Sequence, residues 1–417
     1  RSFLKGHADL TDTDVGFSLA ITRTTFDHRA AILGRNRTEL LDGLTALSHG
    51  ESARNVLTGI ASERDMALLF PGQGAQRVGM GRELAAGFPE FARTLKEVCA
   101  GFDQYLGASL EEVIFTGRPG DLHQTEWAQP ALFAIGISLF RLLESWGVSP
   151  TCVAGHSLGE VTAACAAGVW SLADATRVVA ARARLMQGLP KGAMVAVHAS
   201  EADVLAEITD LPGLGIAAIN GPRSVVVSGD EDAVSTIAHR FAEEGRRTTR
   251  LPVSHAFHSP HMEPILADFQ QVMEQVAFHR PRMTLISNLT GRPATAEELC
   301  DPARWVRHIR EPVRFFDGMT ALAAEGVTDL VDAGPDGALT AMAQECLDDG
   351  TVTAVPMLRR NQSEPRTVLT ALARLHVRGA PVDWRTVFRR DARAVDLPTY
   401  AFRRRRYWLN GAANPVG

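Results

Sequence analysis

Short unbroken apolar runs alternate along this chain with longer stretches whose apolar positions recur every three or four residues. Residues 66–70 (MALLF) form the first such run, the pattern of a strand buried on both faces. Helical spacing follows at 82–99 and 110–116, and a long apolar helix is predicted at 131–146, entered through Gln129-Pro130. A second run, 151–154, leads into a small-residue, helix-compatible stretch at 161–167, and residues 172–185 again read as helix. Further on, residues 281–288 predict a strand, 329–337 a buried strand and turn, and 339–347 a short helix. Strands alternating with helices in this way predict an α/β fold around a parallel sheet.

The middle of the chain has its own rhythm. A strand at 193–199, a helix at 201–208 with Ser200 as N-cap, strands at 215–220 and 224–228, a helix at 231–244 and a strand at 246–253 give the order βαββαβ. That is the ferredoxin-like split unit. Residues 193–253 are therefore read as a small subdomain inserted between two parts of a larger one, 63–192 and 254–355. Residues 1–62 read as a small separate unit. It has apolar stretches at 14–22 and 26–33, helical spacing at 38–47, and a polar connector at 50–65. Composition shifts again at 356, where a polar loop precedes a helix at 367–378 and a tail at 397–409 carrying four consecutive arginines between aromatics.

The 417 residues suffice for two or three domains. With 45% hydrophobic and 22% charged residues, the chain is an ordinary globular one. A formal net charge of −5 argues against nucleic acid as the main partner, and makes the arginine-rich tail a packed, partner-facing segment. No apolar run approaches the roughly 20 residues a membrane span needs. No secretion signal opens the chain, which starts as an excised fragment would. The five cysteines are odd in number, scattered and without a C-x-x-C pair, so they read as reduced thiols of a cytoplasmic protein. His28 reads as a structural or surface residue.

The candidate chemistry centres on Gly155-His156-Ser157-Leu158-Gly159-Glu160, a G-x-S-x-G pentapeptide between the run at 151–154 and the helical stretch at 161–167. A nucleophile elbow needs that context: a tight turn from strand to helix, small residues beside it, and a serine at its tip. The Leu158 N–H at the helix start would face any oxyanion formed there. A chance pentapeptide in a glycine-rich chain is the competing explanation. The Pro71-Gly72-Gln73-Gly74-Ala75-Gln76 loop permits close backbone approach to a ligand, or is a plain connection. Gln129 sits where a side chain could reach a site. Arg182, set among alanines, either snorkels or fixes an anion, and snorkelling is the simpler reading. The segment 254–262 holds His255, His258 and His261. Their spacing does not suit a helix face and no cysteine or paired carboxylate completes a zinc set, so no metal is expected. A general base for Ser157 accounts better for one of them.

Four motifs together, Gly72-Gln73-Gly74-Ala75-Gln76, Gly155-His156-Ser157-Leu158-Gly159-Glu160, Arg182 and His255-Ala256-Phe257-His258, resemble the acyltransferase domain of modular type I polyketide synthases. More distantly they resemble the malonyl-CoA:acyl-carrier-protein transacylases. The flanks fit as well. Residues 1–62 resemble the linker from ketosynthase to acyltransferase, and 356–417 the post-acyltransferase linker with its L-P-T-Y-x-F and R-Y-W tail. The resemblance implies a hydrolase-like large α/β subdomain with a ferredoxin-like insert. Ser157 would be the nucleophile and His258 its general base, giving ping-pong transfer through a malonyl-serine ester. The backbone N–H groups of Gln73 and Leu158 would form the oxyanion hole. Arg182 would hold the free carboxylate of the substrate in a bidentate pair, overriding the snorkelling reading, with Gln129 as a second contact. His156, His255 and Phe257 join the substrate-binding set. A backbone carbonyl near His308 would orient the base, with Asn288 in the same shell.

In that family H-A-F-H accompanies malonyl and Y-A-S-H methylmalonyl, and Leu158 also fits the malonyl type. Phe257 would crowd a 2-methyl group, and one methyl discriminates by only about 1–3 kcal/mol. The implied partners are malonyl-CoA, an acyl carrier protein and the ketosynthase domain of the same module, with no membrane, metal or redox cofactor. Other substituted malonyl units, and hydrolysis in place of transfer, are the alternatives.

Overall fold

The structure is a computed structural model that describes residues 1–117, 121–347, 350, 352–388 and 391–399. Its strands, in chain order, are β1 (His28–Ile32), β2 (Val56–Ile60), β3 (Asp65–Phe70) and β4 (Cys152–Gly155). Then come β5 (Ala193–Val197), β6 (Gly215–Gly221), β7 (Ser224–Gly229), β8 (Thr248–Arg250), β9 (Thr284–Leu285), β10 (Val327–Asp332) and β11 (Thr353–Pro356). The predicted parallel sheet is present, in the order β11-β10-β3-β4-β9. Its central strands are buried on both faces, which is why they read as unbroken apolar runs rather than alternating ones. Helices Pro89–Leu106, Thr125–Ser145 and Leu172–Gln187 pack together over it, with Phe102 and Phe133 edge to face at 5.7 Å.

The insert forms its own antiparallel sheet, β6-β7-β5-β8, around a separate apolar core. That order is the ferredoxin-like one. It is joined to the large unit through β6, where Ile219 N–H donates to the Val313 carbonyl (2.8 Å) and Val313 N–H to the Ala217 carbonyl (2.9 Å).

Several sequence expectations change. Residues 50–65 are not merely a connector: β2 lies within them and pairs antiparallel with β1. Val56 and Leu57 are too few to signal a strand without their partner. The stretch 82–99 is two helices, Arg82–Gly87 and Pro89–Leu106, because the residue before a proline leaves the helical region, and Phe88 is extended. The long helix starts at Thr125, so Gln129 and Pro130 lie inside it rather than at its entrance. β8 and β9 are shorter than expected.

The N-terminal unit is not self-contained. Helix Glu364–Arg378 packs on β1 and β2, and Ser62 N–H donates to the Arg378 carbonyl (3.2 Å). Residues 391–399 run along helix Asp12–Thr22, where Val395 N–H donates to Ser18 Oγ (2.8 Å). The Y-x-F part of L-P-T-Y-x-F, the four arginines and the R-Y-W tail lie outside the described residues. No helix among the described residues is long and apolar enough to cross a membrane.

Candidate active site

β4 ends at Gly155 and helix Leu158–Ala166 begins after only two intervening residues, so the chain reverses over His156 and Ser157. Ser157 takes φ 53° and ψ −113°, a conformation that L-residues hold only when their surroundings enforce it. The glycines of the pentapeptide are there because side chains would not fit. A Cβ on Gly155 would lie 2.0 Å from the Gly159 carbonyl carbon, and one on Gly159 only 1.8 Å from the Phe70 carbonyl oxygen. The loop leaving β3 passes alongside, and a Cβ on Gly72 would meet the His156 carbonyl at 2.7 Å. Among the described residues neither Gln73 N–H nor Leu158 N–H donates a hydrogen bond within the chain.

Ser157 Oγ lies 2.7 Å from His258 Nε2, and His258 Nδ1 lies 2.8 Å from the Glu311 carbonyl. A carbonyl oxygen only accepts, so Nδ1 carries the proton and Nε2 presents its lone pair to the serine. Burial first, and then the Arg182 charge, holds the His258 imidazole well below its ordinary pKa, so it is an unprotonated base at neutral pH. The orienting carbonyl belongs to Glu311, three residues beyond His308. His308 itself turns to Glu160: its Nε2 lies 3.1 Å from Glu160 Oε2, off the line of a good hydrogen bond. Asn288 also departs from expectation. It holds the serine, not the base: its Oδ1 accepts the Ser157 N–H (2.8 Å) and its Nδ2 donates to the Gly155 carbonyl (2.7 Å).

Arg182 does not snorkel. It is 2% exposed, on the face of helix Leu172–Gln187 turned into the molecule. Its Nη1 donates to Gln129 Oε1 (2.6 Å) and its Nη2 to Ser157 Oγ (3.1 Å), while Nε has no partner. Among the described residues no carboxylate neutralises it, and burial alone pulls its pKa down to about 9, so it remains a cation at neutral pH. A buried, incompletely bonded cation is a place where an anion would be favoured. Gln129 also reaches Met186 Sδ (3.4 Å), and Gln73 Nε2 lies 3.4 Å from Thr125 Oγ1.

The three histidines of 254–262 part company. His258 faces Ser157, His255 Nδ1 meets Ser254 Oγ (2.9 Å) with its ring tilted against Phe257 at 5.9 Å, and His261 pairs with Asp230 (2.9 Å). His156 Nε2 reaches Asn220 Oδ1 of β6 (2.8 Å), tying the elbow to the inserted sheet. Thr125, Asn220, Glu311 and Arg304 were not singled out from the sequence. Glu311 acts through its backbone, which leaves no residue-type signature. Glu160 stood in plain view, an acid within an apolar helix, and its burial was the missed signal.

The model of the acyl transferase domain matches residues 67–382. Polyketide synthase GfsA of Streptomyces halstedii is 48% identical over 415 residues, 96% of this chain but 6% of GfsA, so the chain spans only a small part of that relative's length. The acyltransferase domain from the second module of the salinomycin polyketide synthase is 48% identical with a TM-score of 0.85, covering 96% of this chain and 95% of that one. The malonyl-CoA:acyl carrier protein transacylase of Xanthomonas oryzae pv. oryzae is 30% identical with a TM-score of 0.66, covering 73% of this chain and 98% of that one.

Proposed function

The chain belongs to the acyl transferase domain family, in the group found in polyketide synthases, and we propose that it moves a malonyl unit from malonyl-CoA to the phosphopantetheine thiol of an acyl carrier protein. The observation that supports the substrate reading is Arg182, a buried guanidinium 3.1 Å from the nucleophile and without an anionic partner among the described residues. A free carboxylate three carbons from the reacting thioester carbon's sulfur partner is what a malonyl group brings; an acetyl group would leave the cation buried and unpaired.

The steps balance without any metal or redox group. His258 Nε2 takes the Ser157 Oγ proton as Oγ attacks the thioester carbonyl, and the oxyanion is held by Gln73 and Leu158 N–H. Collapse expels the CoA thiolate, which takes the proton from His258 and leaves malonyl-Ser157. The carrier thiol then gives its proton to His258 and attacks the ester, and Ser157 recovers the proton as it leaves. His156, His255, Phe257 and Gln129 shape the pocket, and Phe257 disfavours a 2-methyl group by about 1–3 kcal/mol. Residues 1–62 and 356–417 serve as linkers to the ketosynthase of the same module. The unit works in the cytoplasm, where its five free thiols stay reduced.

Intact-protein mass spectrometry tests this. Malonyl-CoA should leave a malonyl adduct that Ser157→Ala abolishes and that discharges onto a holo carrier protein faster than onto water. A methylmalonyl preference, or no gain in methylmalonyl use by His255→Tyr with Phe257→Ser, would refute the extender assignment.

A further inference from the structure

Beside the elbow lies a buried ion pair that the transfer scheme does not use. Glu160, in the first turn of helix Leu158–Ala166, is fully buried and ion-paired with Arg304 Nη2. Its other oxygen, Oε2, accepts the Asn288 N–H (2.8 Å). Arg304 also donates to Ser287 Oγ (3.0 Å), and its guanidinium carbon sits 4.5 Å from the Trp305 ring centroid. Asn288 in turn grips the peptides on both sides of His156: the Gly155 carbonyl and the Ser157 N–H. A bonded path thus runs from Arg304 through Glu160 and Asn288 to the backbone of Ser157.

Burying two opposite charges is costly, and by itself such a pair is weak evidence of stabilisation. What this one touches is a strained turn. Ser157 at φ 53° needs its surroundings to hold it. The element that supplies Arg304, helix Pro302–Arg310, leads straight into Glu311, whose carbonyl orients His258, and Arg314, whose N–H donates to the Asn288 carbonyl (2.8 Å). Nucleophile and base are therefore referenced to one helix and its exit. We propose that the Glu160–Arg304 pair is a positioning device: it fixes Asn288, which holds the Ser157 peptide so that Oγ stays within reach of His258.

This rests on Ser157 being the nucleophile, so the test includes a readout indifferent to the acyl donor. Labelling of Ser157 by a fluorophosphonate is followed alongside kcat and KM with malonyl-CoA and a holo carrier protein. Glu160→Gln with Arg304→Gln removes both charges at once and leaves neither buried alone. The expected result is an unchanged circular dichroism spectrum, labelling rate and kcat reduced about 10–100-fold, and KM within about threefold. Adding Asn288→Ala should slow the enzyme no further than the worse of the two alterations, because all three act through one path. Wild-type labelling in the folded double variant, or effects that multiply, would overturn the proposal. If that variant does not fold, Glu160→Asp decides. It keeps the charge but withdraws the oxygen from Asn288, and an unaltered labelling rate refutes the idea. Absence of labelling in the wild type sinks the nucleophile reading and this inference with it. Intact labelling without malonyl transfer sinks only the substrate reading.

Discussion

Arg182 shows how much one side chain's meaning depends on where its head group ends. Among alanines on a helix it had two readings, and burial, with no carboxylate partner among the described residues, is what rules out snorkelling. Arg182→Gln should cost malonyl transfer about 2–5 kcal/mol in kcat/KM, measured at fixed carrier concentration, and should erase discrimination against acetyl-CoA. The same charge depresses the His258 pKa after burial has done so. Removing it raises that pKa, so the acid limb of kcat/KM moves to higher pH in Arg182→Gln. An unmoved limb would mean that the guanidinium does not influence the base. Ser157, His258 and Arg182 could be picked out as a group because each side chain's chemistry is distinctive within a motif, and the structure brings the three together. The Glu311 carbonyl was not, since any residue type supplies one, and Asn288 was placed beside the base when it binds the serine's backbone.

At the scale of elements, the elbow is specified by what cannot be there. Gly159→Ala would drive a methyl into the Phe70 carbonyl of the neighbouring strand. It should destabilise the fold by about 3 kcal/mol or more, read as a lower denaturation midpoint, or prevent its accumulation. Glu364 makes a comparable demand from the far end of the chain. Only 3% exposed, it accepts from Arg77 Nη2 (2.6 Å) and from the N–H groups of Gly81 (2.8 Å) and Glu83 (3.1 Å), capping helix Arg82–Gly87 from helix Glu364–Arg378. Glu364→Ala should cost about 3 kcal/mol in unfolding free energy, because it strands buried donors and a half-buried cation. Nothing in the local pattern announces this contact, since its partners lie 281 to 287 residues away.

For the whole molecule, helix Glu364–Arg378 covers β1 and β2, so a chain cut after 356 should lose protection of residues 28–60 in hydrogen exchange while an intact chain keeps it. Stability should also fall on acidification. Burial lowers the pKa of His156, His255, His258, His308 and His376 in the folded state, so the unfolded chain binds their protons first as pH drops below about 6.5. Asp332, pushed up to about 7 by burial, opposes this, and burial raises Asp329 and Asp336 in the same sense, against five histidines. The melting temperature should therefore decrease from pH 7.5 to 5.5, and a flat profile would contradict the buried-histidine picture. The sequence by itself determined the class of fold, the βαββαβ insert and the four motifs, because period, turn chemistry and reactive residue types are local properties. Only the tertiary structure decided that β2 exists, that residues 364–378 and 391–399 pack on the N-terminal unit, that Arg182 has no acid beside it among the described residues and that Glu160 meets Arg304. Those are facts of pairing and burial between segments remote in sequence, and such pairings are settled by which surfaces the folded chain brings together.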